Sequence, residues 1–151
     1  MWLRVFAPTT DEIAPAAIAG AMIDAGYSIV PHFKGDDLGW TSADLAFETG
    51  TPIGIVRYLT KEDKLREDLN AYAGELETMT YSPHAAGLME RVIQTQQLLT
   101  IRRPIDHPNE ALVDAATEFL ARWCAVRVGG FYQIDRRGWF EADGTLLVEE
   151  F

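Results

Sequence analysis

The sequence predicts an α+β fold: two βαβ-plus-hairpin, ferredoxin-like halves whose helices pack on an antiparallel or mixed sheet. Three observations predict it. Residues 98–148 read as strand, helix, strand and hairpin with a signal at almost every junction, and residues 2–59 give a similar series. Short runs alternate apolar and polar residues with period two, while longer ones repeat at three- and four-residue steps. The 151 residues, 48% of them apolar, suit one domain able to bury roughly two thirds of its unfolded surface. The domain is therefore 1–151, with pseudo-repeat halves 1–79 and 83–151. The echo is one of architecture, because residue identities do not repeat between the halves.

Trp2-Leu3-Arg4-Val5-Phe6 is the first expected strand. Thr9-Thr10-Asp11-Glu12 matches a capping box ahead of a helix reaching Ala25, and Pro15 argues for a start nearer Ala14. Gly26 stops that helix. Tyr27 to Phe33 is the next strand, with Pro31 marking an edge or bulge, and Lys34-Gly35-Asp36-Asp37-Leu38-Gly39-Trp40 reads as a polar loop carrying one exposed aromatic. Ala43 to Glu48 and Ile53 to Leu59 form a hairpin around Gly50-Thr51-Pro52.

Thr60-Lys61-Glu62-Asp63 resembles a capped helix start, followed by the stripe Leu65, Leu69, Tyr72, Leu76 and Met79. Glu67, Asp68, Glu75 and Glu77 then face solvent. Ser82-Pro83 opens another helix, with Ala85, Leu88, Met89, Val92 and Ile93 inward. Leu98 to Ile101 is a strand closed by Arg102-Arg103-Pro104. Beyond it, Pro108 suits a first helical turn capped by His107 or Asp106. Leu112, Ala115, Ala116, Phe119, Trp123 and Val126 are the expected inner face, and Gly129-Gly130 ends the helix. Phe131 to Ile134, Trp139 to Ala142 and Thr145 to Val148 are strands, the last two joined at Asp143-Gly144 by a two-residue type I′ turn.

Gly35-Asp36-Asp37-Leu38-Gly39-Trp40, Arg57-Tyr58-Leu59, Arg66-Glu67-Asp68-Leu69-Asn70, Leu98 to Pro104, and Tyr132-Gln133-Ile134-Asp135 through Asp143-Gly144-Thr145-Leu146-Leu147 carry a resemblance over nearly the whole chain. The chain resembles a family of uncharacterised bacterial cytosolic proteins. That resemblance implies a bacterial, cytoplasmic setting and brings no functional residue with it.

Charge and motifs narrow the function. A net charge of −10 repels phosphate backbones and anionic lipid, which argues against nucleic acid and membrane and favours a basic protein partner. One cysteine, Cys124, excludes an internal disulfide and reads as a buried small residue. No Gly-x-Ser-x-Gly, HExxH, CxxC or phosphate-loop motif occurs, so no catalytic residue, metal or cofactor is implied. The first expectation is a non-catalytic, acidic protein-interaction or regulatory domain. The alternative is a small-molecule binder or enzyme with a cleft near His32, Asp36 and Asp37. Candidate ligand or partner residues are His32, Lys34, Asp36, Asp37, Trp40 and Arg57, with Trp40 as an exposed interface anchor. A third expectation is a homo-oligomer paired through the hairpin edge Thr145 to Val148.

Overall fold

Two of the most apolar strands of the chain need cover on both faces and therefore lie at the centre of a sheet. The computed structural model describes residues 1–60 and 64–151. Its elements are β1 (Trp2–Ala7), α1 (Pro15–Asp24), β2 (Val30–Asp36), β3 (Gly39–Ala46), β4 (Ile53–Leu59), α2 (Leu65–Glu77), α3 (Ala85–Ile93), β5 (Gln97–Arg102), α4 (Glu110–Val128), β6 (Phe131–Ile134), β7 (Gly138–Glu141) and β8 (Leu146–Glu149). The eight strands form one antiparallel sheet in the order β2-β3-β4-β5-β1-β6-β7-β8.

The α+β class is as expected, but the strands of residues 1–79 and 83–151 do not form two adjacent blocks. β5 lies between β4 and β1, and β1 lies between β5 and β6. Because β5 and β6 both run antiparallel to β1, β5-α4-β6 is a split βαβ unit with β1 in its gap. The exchange of β1 and β5 along the sheet leaves only β2 and β8 as edge strands.

On one face, α1 and α4 pack Ile18, Met22, Ala116, Leu120 and Cys124 over Leu3, Val5, Ile55, Leu99, Ile101 and Ile134. On the other, α2 and α3 pack Leu65, Leu69, Leu76, Leu88 and Val92 over Phe6, Leu98, Phe131, Trp139 and Val148. Each such side chain contributes about 1.5–3 kcal/mol by leaving water. The second helical layer covers the β1-to-β8 side of the sheet. His32, Lys34, Asp44 and Arg102, on the corresponding face of β2, β3 and β5, are exposed.

Several expected details change. The capping box does not form: Ala14 is the N-cap of α1, with no side-chain hydrogen bond to the helix, and Pro15 is its first residue, where a missing N–H costs nothing. The capped start at Thr60 to Asp63 falls on residues 61–63, outside the described residues; the Thr60 hydroxyl donates to the Gln96 carbonyl at 2.8 Å. Ile93 points outward at 46% exposure. Asn109, not His107 or Asp106, caps α4, its side chain accepting the Leu112 N–H at 3.1 Å.

The inner face of α4 is Val113, Ala116, Thr117, Leu120, Ala121, Cys124, Ala125 and Val128, so Val126 is 60% exposed. Small residues let this helix lie close on the sheet, while Phe119 and Trp123 pack along its flank. The last hairpin has a three-residue loop. Only Gly144 has positive φ (+91°), and Glu141 accepts the Gly144 N–H and donates to Thr145 O, both at 2.8 Å. The β8 edge is partly occupied within the chain: Tyr81 and Ser82 hydroxyls donate to the carbonyls of Glu149 and Leu147.

Candidate functional site

The stretch that the sequence singled out is two strands and a turn. Asp36 pairs with Gly39 across the β2–β3 hairpin, and the Asp36 carboxylate accepts the Leu38 N–H at 2.8 Å. β2 is an edge strand, with His32 opposite Asp44 and Lys34 opposite Ser42. His32, Lys34, Asp36 and Asp37 are all exposed, and no hydrogen bond or ion pair joins His32 to either aspartate.

Trp40 is no exposed anchor. It is 4% exposed, its indole N–H donates to Ile13 O at 2.8 Å, and its ring meets Phe33 edge-on at 5.4 Å. The reason is a bulge: pairing passes from Lys34–Ser42 to Gly35–Trp40, skipping Thr41, and the extra residue turns the indole toward the core. The Trp40 N–H donates to the Glu12 carboxylate at 2.9 Å, which is the role Glu12 takes in place of capping.

Arg57, 5% exposed, completes this clasp. Its Nε donates to Gln97 Oε1, Nη1 to the carbonyls of Leu38 (3.1 Å) and Trp40 (3.2 Å), and Nη2 to Thr10 O (3.1 Å). All four acceptors are neutral. The structure therefore joins Trp40 and Arg57 in a structural clasp and leaves His32, Lys34, Asp36 and Asp37 outside it.

A different place gathers titratable groups. Arg4 on β1 and Gln133 on β6 are register partners on the face covered by α2, and above them opens a cleft of about 510 Å³. It is lined by Arg4, Tyr72, Glu75, Thr78, Met79, Tyr81, Gln133, Asp135, Glu150 and Phe151. Arg4 Nη1 donates to Gln133 Oε1 at 2.8 Å and to Asp135 Oδ1 at 2.5 Å, with its guanidinium 5.4 Å from the Tyr72 ring centroid. The Gln133 amide, 5% exposed as a residue, donates through Nε2 to both Glu150 oxygens at 3.0 and 3.2 Å.

The environments of the two carboxyl groups differ. Burial opposes the charge on Asp135, but the hydrogen bond and charge of Arg4, with the Trp2 N–H, outweigh it and hold the group below its ordinary range. Glu150 is pushed up by burial, which the Gln133 hydrogen bond only partly offsets, and the charges of Asp135 and Glu75 add to the rise. Burial likewise raises Tyr72 against the opposing influence of Arg4. Opposed shifts within one ligand-sized cleft mark a candidate site.

The cleft leaves one signal in the sequence, outside the stretch from His32 to Trp40. Arg4 alternates with Leu3 and Val5 onto the same face as Phe6, and Gln133 shares a face with Phe131. A polar residue in such a row needs a buried partner.

Elsewhere the chemistry is sparse. Cys124 is buried in α4 and its thiol is pushed up to about 12 by that burial. Among the described residues, no three His, Cys, Asp or Glu side chains converge as metal ligands, and no helix is long and apolar enough to cross a membrane. No family model, curated protein or solved structure matches the chain.

Proposed function

We propose that this chain is a non-catalytic interaction domain that docks a basic protein partner along the outer face of α2. One observation carries the reading: the cations are largely engaged within the fold while these carboxylates are free. Arg4, Arg91, Arg103 and Arg137 are ion-paired with Asp135, Glu141, Asp114 and Glu118. Arg57, Arg66 and Arg122 donate to backbone carbonyls. Glu67, Asp68, Glu75 and Glu77 are exposed on α2, and no cation among the described residues pairs with them. They span about 15 Å at 1.5 Å per residue, a length over which a basic segment can lie. Such a surface speeds encounter with a cationic partner and weakens as salt screens it.

The test is calorimetric titration with an oligolysine peptide at low and high salt. Glu67→Gln/Asp68→Asn/Glu77→Gln is expected to weaken binding at least fivefold and to flatten its salt dependence. Binding equal to wild type in that variant would reject the reading. The small-molecule alternative moves from the His32 stretch to the cleft over Arg4, where the perturbed carboxyl groups favour it.

A further inference from the structure

We infer that the cleft over Arg4 and Gln133 is a binding site for an organic monocation, an alkylammonium or guanidinium group, with Glu150 as its counter-ion. The charges in the cleft are unevenly matched. Arg4 is already committed to Asp135 and to Gln133 Oε1, so it serves Asp135 and does not reach Glu150 as an ion-pair partner. Glu150 accepts from the Gln133 amide through both oxygens, yet no cation among the described residues pairs with it. Glu75 adds a second unmatched carboxylate at the rim. A half-buried carboxylate satisfied by a neutral amide gains most from a cation that enters beside it.

The walls favour an organic cation over an inorganic one. Arg4 already lies over the Tyr72 ring, 5.4 Å from its centroid, so Tyr81 and Phe151 are the aromatic walls left to a ligand, and aromatic faces attract ammonium and guanidinium groups through the ring quadrupole. The carboxylates do not converge as metal ligands. At about 510 Å³ the space holds a lysine- or arginine-sized group with room to spare. Burial pushing Glu150 upward is consistent with a charge awaiting compensation. Gln133 is the positioning residue: it is almost fully buried and fixes the Glu150 carboxylate at the cleft wall. The cation's source is either a free amine or guanidine, or a side chain of the basic partner; only the latter rests on the docking reading above.

The test titrates the full chain with butylammonium, methylguanidinium and capped Gly-Lys-Gly and Gly-Arg-Gly peptides. Butanoate at equal ionic strength is the control, with the Gln133 side-chain amide and Tyr72 ring followed by NMR. Saturable shifts with at least one cation and none with butanoate are expected. Glu150→Gln, which retains a polar partner for Gln133, should weaken binding by about tenfold or more, as loss of a charged hydrogen-bond partner does. Glu75→Gln should weaken it less, and Asp24→Asn on α1 not at all. Free cations binding as well as the peptides would identify a small-molecule site, and peptides alone a partner's side chain; both support the inference. No saturable shift with any cation, or equal affinity in the folded Glu150→Gln variant, would overturn it. The α2 triple variant should leave these titrations unchanged, so the site and the docking strip fail separately.

Discussion

Arg57 and Arg4 are two arginines held within one sheet, and their surroundings give them opposite uses. Arg57 meets four neutral acceptors fixed by the fold: Gln97 Oε1 and the carbonyls of Leu38, Trp40 and Thr10. None of these four acceptors is a titratable group; the one carboxylate of the clasp, Glu12, is held by the Trp40 N–H and not by Arg57. Arg4 instead meets Asp135, Gln133 and the face of Tyr72 beside an open cleft, where the neighbouring carboxyl groups titrate. An arginine among carbonyls is architecture; an arginine among acids at a cleft wall is part of a site.

The largest test of this contrast is Trp40→Ala. Removing an indole that is 4% exposed and hydrogen-bonded to Ile13 should cost about 3–5 kcal/mol in urea denaturation. A loss within about 0.5 kcal/mol, as exposed sites show, would return Trp40 to the surface and dissolve the clasp.

Next in size is the difference between the arginines. Arg57→Met strands four acceptors and is expected to cost about 3 kcal/mol. Arg4→Met takes one donor from Gln133 Oε1 and releases Asp135, whose side chain is 31% exposed and recovers water, so a smaller loss of about 1–2 kcal/mol is expected. Equal losses would mean that the two arginines are held alike.

The smallest effect is the most diagnostic, because it concerns pH. Asp135 has a depressed folded pKa, so its stabilisation is present above its unfolded value near 3.8 and is lost as pH falls through the folded value. The cost of Arg4→Met should therefore shrink as a denaturation series is carried below about pH 4, and by more than that of Arg57→Met, whose own acceptors are neutral. Glu150 tilts the other way: its folded pKa is raised above 4.5, so its contribution is full below 4.5 and is lost as pH rises through the folded value. Glu150→Gln should accordingly remove a small rise in stability on acidification. An Arg57→Met cost that shrank in acid as much as the Arg4→Met cost would remove the contrast between the two arginines.

The sequence by itself determined what depends on neighbours along the chain. The order of strands and helices was legible, as were the β3–β4 hairpin, the α2 stripe through Leu65, Leu69 and Leu76, and the glycine stops at Gly26 and Gly129. Periodicity and turn chemistry act within a few residues, which is why they can be read directly.

Tertiary structure decided which face each element covers and which residues meet. A one-residue bulge at Thr41 sent Trp40 inward against a polar local context. The close seating of α4 on the sheet chose Ala116, Leu120 and Cys124 over its larger aromatic residues. Strand exchange set Arg4 against Gln133, 129 residues away, and so made the cleft. Periodicity gives the residues that share a face. Whether that face meets a helix, solvent or a buried carboxylate is fixed by strand pairings far apart in the chain, and no local signal carries that information.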